Sequence, residues 1–177
     1  MRENKFFILI LMVVLMTLMS CNKHNKLLKS TDNELKYQAA MSYYEDKDYN
    51  RALQLYDALQ SAYRGKPQGE EIAFHTAECY YNMHDYEIAS HYYKRFVVNY
   101  PFSKRAETSL FRSACCYYLE SPNLSLDQTQ SYNAIEELQN FVELYPNSEL
   151  VDSANIIIDT LRYKLQEKDF GICMLYY

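Results

Sequence analysis

The hydrophobic positions of this chain fall into helical phrases, and the phrases themselves recur. Ala40-Met41-Ser42-Tyr43-Tyr44, Ala77-Glu78-Cys79-Tyr80-Tyr81 and Ala114-Cys115-Cys116-Tyr117-Tyr118 stand at an unvarying interval of 37 residues. Each phrase has a second half. Ala52 and Tyr56 follow the first, Ala89 and Tyr93 the second, and both second alanines close a short signature, Asp48-Tyr49-Asn50-Arg51-Ala52 and Asp85-Tyr86-Glu87-Ile88-Ala89. An Asp at a helix start caps free amide groups and suits the positive end of the helix dipole. A small residue lets two helices approach closely, and the aromatic one turn later fills the space beside it. The pattern predicts a helix A, a tight turn and a helix B, with alanine at each crossing.

A fixed period of this size is the signature of a repeat architecture, in which each unit buries its apolar face against its neighbours. The expected fold is all-α, a tetratricopeptide (TPR) helical-repeat solenoid. The third unit spaces its alanines, Ala114 and Ala134, more widely, and the extra residues form a turn-prone insertion at 121–130 expected to lie outside the stack. Units two and three end alike, in Tyr100-Pro101-Phe102-Ser103 and Tyr145-Pro146-Asn147-Ser148. Proline stops one helix and serine is a good cap for the next. A fourth unit begins at Glu149 and reaches Asp169-Phe170-Gly171-Ile172-Cys173. There a second helix is expected to begin near Phe170 and to be cut short.

The first residues are a different object. Arg2 and Lys5 precede an apolar run from Phe6 to Met19, which ends in Ser20 and Cys21. The run is too short for a comfortable membrane span and matches the core of a secretory signal. Leu18-Met19-Ser20-Cys21 resembles a bacterial lipobox, so Cys21 is the expected lipid-attachment residue, and several acyl chains there would anchor the protein stably. The expected organisation is a signal peptide over 1–20, a flexible tether over 21–32 and a TPR-like domain over 33–177, about three and a half repeats long.

Composition narrows the function. The formal net charge is −5, and no basic cluster with interleaved aromatics appears, which argues against a nucleic-acid surface. His24, His75, His84 and His91 are scattered, and neither a phosphate loop nor a nucleophile motif is present. No cofactor, metal or catalytic residue is expected, and the chain does not read as an enzyme. Cys79, Cys115, Cys116 and Cys173 fall inside predicted helices, where they read as small packing residues; a Cys79–Cys116 bridge between neighbouring A helices stays open, as does a thiol-active reading of Cys115 or Cys116.

The aromatic residues carry the functional signal, with 19 tyrosines among 177 residues. Tyr43, Tyr80, Tyr117, Tyr56 and Tyr93 read as core. Tyr37, Phe74 and Phe111 stand before each repeat alanine and Tyr44, Tyr81 and Tyr118 after it. Members of each pair are nearly two turns apart and share one face of helix A. If half of them are exposed, these six form an aromatic platform suited to extended or partly folded apolar chains.

The lipobox cysteine, the short tether and the repeats with Tyr-Pro-x-Ser turns together resemble the BamD family, lipoproteins of the outer-membrane β-barrel assembly machinery. The most specific stretch is Tyr145-Pro146-Asn147-Ser148 followed by Leu161-Arg162-Tyr163-Lys164-Leu165, Asp169-Phe170 and Tyr176-Tyr177. The resemblance implies a scaffold anchored by lipid in the bacterial outer membrane and facing the periplasm. Its partners would be a BamA-like barrel subunit and unfolded outer-membrane proteins. Family members carry further repeats, so this chain is expected to be truncated at its C-terminal end, in the region where much of the BamA contact is made. The alternative is another periplasmic or surface TPR lipoprotein acting as a cell-envelope scaffold or nutrient-capture subunit.

Overall fold

The computed structural model describes residues 24–175. Besides a helical turn at residues 24–28, they form seven longer helices and no strand: α1 (Asn33–Glu45), α2 (Tyr49–Leu59), α3 (Pro67–Asn82), α4 (Tyr86–Asn99), α5 (Ala106–Leu119), α6 (Thr129–Leu144) and α7 (Val151–Leu175). The chain divides into a unit up to Arg64, which holds α1 and α2, and a unit from Gly65, which holds α3 to α7. Within the second unit each helix packs on the next in sequence, and α5 also meets α7.

The alanines sit where close approach requires them. Ala40 and Ala52 in the first unit, and Ala77, Ala89, Ala114, Ala134 and Ala154 in the second, have no exposed surface. Tyr56 fills the space beside the α1–α2 crossing and Tyr93 the space beside α3–α4, both wholly buried. In α6 the same place is taken by Leu138, which packs with Ala114, Phe141 and Ile158. The core of each hairpin is therefore one small residue on each helix and one large side chain beside them.

The two tight turns share the same backbone pattern. Lys47 and His84, 37 residues apart, both adopt the left-handed conformation, with φ 61° and 65°. Asp48 N–H reaches back to the Tyr43 carbonyl at 2.8 Å, and Asp85 N–H to that of Tyr80 at 3.0 Å. These are the back-bonds that close a helix end when the residue after it turns left-handed. Asp48 then caps α2 through the Arg51 amide at 3.3 Å, whereas Asp85 makes no side-chain cap at α4.

The Tyr-Pro corners repeat as well. Tyr100 and Tyr145 end α4 and α6 with nearly the same backbone angles, and each ring packs on a buried phenylalanine, Phe96 at 5.3 Å and Phe141 at 5.6 Å. Ser103 and Ser148 do more than was expected of a cap. Each hydroxyl accepts a backbone N–H at 3.0 Å, from Arg105 and Leu150 respectively. Each also donates to a glutamate in the first turn of the preceding A helix, Ser103 to Glu70 at 2.6 Å and Ser148 to Glu107. Those glutamates are again 37 residues apart, so the corner ties each unit to the one before it.

Three expectations need correcting. Tyr43, Tyr80 and Tyr117 are half-buried rather than core. Tyr80 stacks on Tyr92 at 5.0 Å, Tyr43 meets the His24 ring edge, and Tyr117 lies under the Lys94 ammonium, leaving each phenol partly wet. The break expected near Phe170 is absent, since α7 runs unbroken through 25 residues. Lys168 stays helical and its Nζ donates to the Leu126 carbonyl at 2.5 Å. Finally, the stretch read as a tether is ordered from His24: residues 24–28 form a helical turn, and Asp32 caps α1 through the Leu35 amide at 2.9 Å. Buried His24 bonds Gln54 at 3.0 Å.

The insertion is folded on itself. Buried Gln128 donates through Nε2 to the carbonyls of Asn123 at 2.9 Å and Leu126 at 3.0 Å, and its Oε1 accepts from Ser131 at 2.8 Å. Lys164 of α7 donates to Ser121 Oγ at 2.6 Å and to the Pro122 carbonyl.

Candidate functional site on the A helices

The six aromatic positions fall in both units. In the first, Tyr37 is buried against Tyr63 at 5.8 Å, and Tyr63 Oη donates to Glu34 at 3.2 Å. Tyr44 is half-buried against Tyr49 at 5.8 Å.

In the second unit Phe74, Tyr81, Phe111 and Tyr118 are all half-buried. Phe74 lies edge-on to Phe96 at 5.7 Å and Tyr93 at 6.4 Å, with the Arg105 guanidinium 5.0 Å above its ring. Tyr81 meets Tyr86 at 5.5 Å and Tyr93 at 6.2 Å, and Arg112 lies 5.7 Å over it. Phe111 rests on Phe141 at 5.4 Å. Phe74, Tyr81 and Phe111 pack against rings of the B helices, and all four keep part of their surface in water. Two of them carry a guanidinium over the ring, a cation–π contact that holds the arginine in place.

Beneath Tyr81 lies a polar cluster that the repeat pattern did not announce. Glu78 is buried on α3, and its Oε1 accepts from both Arg112 Nη1 of α5 and Tyr93 Oη of α4. Burial works against the Arg112 charge, but its bonds to Tyr93 and Glu78 outweigh that, so the guanidinium is held more firmly protonated than usual. Burial, then the Glu78 charge, push the Tyr93 hydroxyl well above its ordinary value. The equivalent of Glu78 is Met41 in the first unit, where Tyr56 Oη reaches Sδ at 3.3 Å, and Cys115 in the third repeat. A charge where the other repeats place sulfur was the available signal.

Three of the cysteines are shielded from solvent. Cys79, Cys115 and Cys116 are buried free thiols, and burial pushes each up to about 12, so the thiol-active reading of Cys115 or Cys116 does not hold. Cys173 is free and exposed. Burial likewise holds the His75 imidazole below its usual value, favouring the neutral ring. Among the described residues no group of three or more His, Cys, Asp or Glu could hold a metal ion, and no helix is long and apolar enough to cross a membrane. Cys21 lies outside the described residues.

The described residues are all-helical, in hairpins that carry half-buried aromatic rings and a buried polar cluster. The chain matches the YfiO family, described as outer membrane lipoprotein, over residues 29–177, and it belongs to that family. No curated protein matches it.

Proposed function

We propose that the protein is a lipid-anchored TPR scaffold of the outer-membrane β-barrel assembly machinery. It would receive unfolded outer-membrane proteins on the aromatic faces of its A helices and work beside a BamA-like barrel subunit. Family membership over residues 29–177 supports the membrane and the machinery. The observation that carries the binding role is the repeated pair Phe74/Tyr81 and Phe111/Tyr118, four half-buried rings in one unit. Extended chains rich in aromatic residues suit such a surface because each ring can stack while the backbone stays free to pair.

Tyr118→Ala tests the groove. Loss of a central aromatic anchor is expected to weaken an extended aromatic peptide from a barrel strand by about thirtyfold. Tyr132→Ala, at an exposed position on α6, is expected to leave affinity unchanged. Equal affinities for both variants and the parent, measured on folded protein, would remove the groove from the proposal. Anchoring through Cys21, with the body facing the periplasm, is tested separately. Cys21→Ser is expected to abolish palmitate labelling and release the protein from the membrane fraction, and labelling that persists would exclude this anchor.

A further inference from the structure

The corner between α4 and α5 departs from its counterpart between α6 and α7. Both close the same four-residue turn, with Ser103 N–H on the Tyr100 carbonyl and Ser148 N–H on that of Tyr145, each at 3.0 Å. Polar residues are the usual choice in such a turn, and exposed Asn147 follows the rule. Phe102 holds the same place in the other turn and is 100% exposed. A ring left wholly in water contributes no burial to the fold. The neighbours change in the same sense. Val98, 78% exposed near the end of α4, stands where α6 has Glu143. Arg95 and Lys104 stand where the other corner has Asn140 and Glu149.

Residues 88–106 carry four lysines and arginines and no Asp or Glu, in a chain of net charge −5. Lys94 pairs with Glu137 and Arg105 with Glu71, whereas exposed Arg95 and Lys104 have no ion pair among the described residues. Arg95 is three residues before Val98 and so lies beside it on the helix surface. An aromatic tip between two unpaired cations matches the edge of a bilayer. Rings settle there at headgroup depth, while Lys and Arg stems reach past them to anionic groups. A partner helix would need apolar anchors repeated one turn apart, and here one ring stands on a turn. The family is described as outer membrane lipoprotein, so a lipid surface is its described setting. The corner joins two helices that already pack on each other, α4 and α5, and is not a face on which a further repeat would stack.

We infer that the α4–α5 corner is a membrane contact of the folded domain, separate from Cys21 and from the aromatic A-helix faces. Phe102 enters the headgroup region of a phospholipid surface, and Arg95 and Lys104 take its anionic groups. The chain has no tryptophan, so Phe102→Trp places a single reporter at the corner. The full chain is reconstituted in vesicles of phosphatidylcholine with or without phosphatidylglycerol, and quenching by brominated lipid is read at that residue. The reading does not depend on how the N-terminal end is held, so it stands apart from the Cys21 test. Strong quenching with blue-shifted emission is expected in the anionic vesicles, and weaker quenching in the zwitterionic ones. Asn147→Trp, in the matching turn, is expected to stay unquenched in both. Arg95→Gln with Lys104→Gln, added to Phe102→Trp, is expected to lower the ratio of lipid-facing to water-facing tryptophan by about tenfold or more. The helical circular dichroism of all variants is expected to match the parent. The inference is overturned if quenching at residue 102 is no greater than at residue 147, or if removing the two cations leaves it unchanged. A blue shift that brominated lipid does not quench would place the ring against protein and would equally overturn it.

Discussion

Arg112 on α5 and Glu78 on α3 form an ion pair whose carboxylate is buried and whose guanidinium reaches the surface. The two partners are not equivalent under mutation. Arg112→Met strands a carboxylate with one tyrosine hydroxyl for company and is expected to cost about 3 kcal/mol in urea unfolding. Adding Glu78→Met recreates the sulfur that Met41 offers Tyr56, so the double variant is expected to recover most of the loss. A double variant no more stable than Arg112→Met would show that the pair is not what holds this position.

Lys47 adopts φ 61° at an exposed turn. Left-handed backbone is unfavourable for a residue with a Cβ and nearly free for glycine, against which stands glycine's larger entropy loss on folding. Lys47→Gly is therefore expected to stabilise the protein by about 0.5 kcal/mol. His84→Gly sits in the same turn, but it also removes the Tyr86 hydroxyl contact at 2.6 Å, and is expected to gain less. Thermal unfolding of the two variants gives the order; a destabilised Lys47→Gly would contradict the turn geometry.

The helical hairpins were legible because their causes are local. Ala40, Ala77 and Ala114 mark crossings by size alone, and Asp48 and Tyr100 mark ends by chemistry that acts within a few residues. What escaped depends on distance. Nothing near Glu78 in sequence names Arg112, which is 34 residues on and arrives only through packing. The turn at Lys47 carries no glycine to announce it. Asp169-Phe170-Gly171 copies a helix-B signature, yet a signature alone does not break a helix. His24 was read with the tether because its partners Gln54 and Tyr43 lie in other helices. The aromatic row was found by spacing, but spacing could not tell that Tyr37 is buried while Tyr81 is half-covered by an arginine.

The buried thiols set an alkaline limit. Cys79, Cys115 and Cys116 are held up to about 12 from an ordinary value of 9.0, and Tyr81 and Tyr93 shift in the same direction. Groups with raised folded values add stability that is complete below their unfolded values and is lost as pH rises toward the folded ones. Urea midpoints are expected to be steady to about pH 8 and to fall progressively between about 9 and 12. A thiol reagent at pH 8 is expected to label Cys173 quickly and the three buried thiols only on unfolding. A midpoint that holds flat to pH 11 would mean the thiols ionise in the folded protein.

Gln128 organises the insertion from within, using both ends of its amide on Asn123, Leu126 and Ser131. Gln128→Ala would leave two loop carbonyls and one hydroxyl without it, a local loss of about 1–3 kcal/mol. The α5–α6 core rests on Ala114, Leu138 and Phe141, none of which depends on the loop. Local opening is therefore expected without global unfolding. Amide exchange across 121–128 should accelerate strongly, while exchange in α5 and α6 and the melting temperature stay near their parent values. Lys164→Met removes the support from α7 and is expected to loosen the same segment from its other side. If Gln128→Ala lowers the melting temperature in step with loop exchange, the insertion is part of the cooperative core rather than an ordered appendage to it.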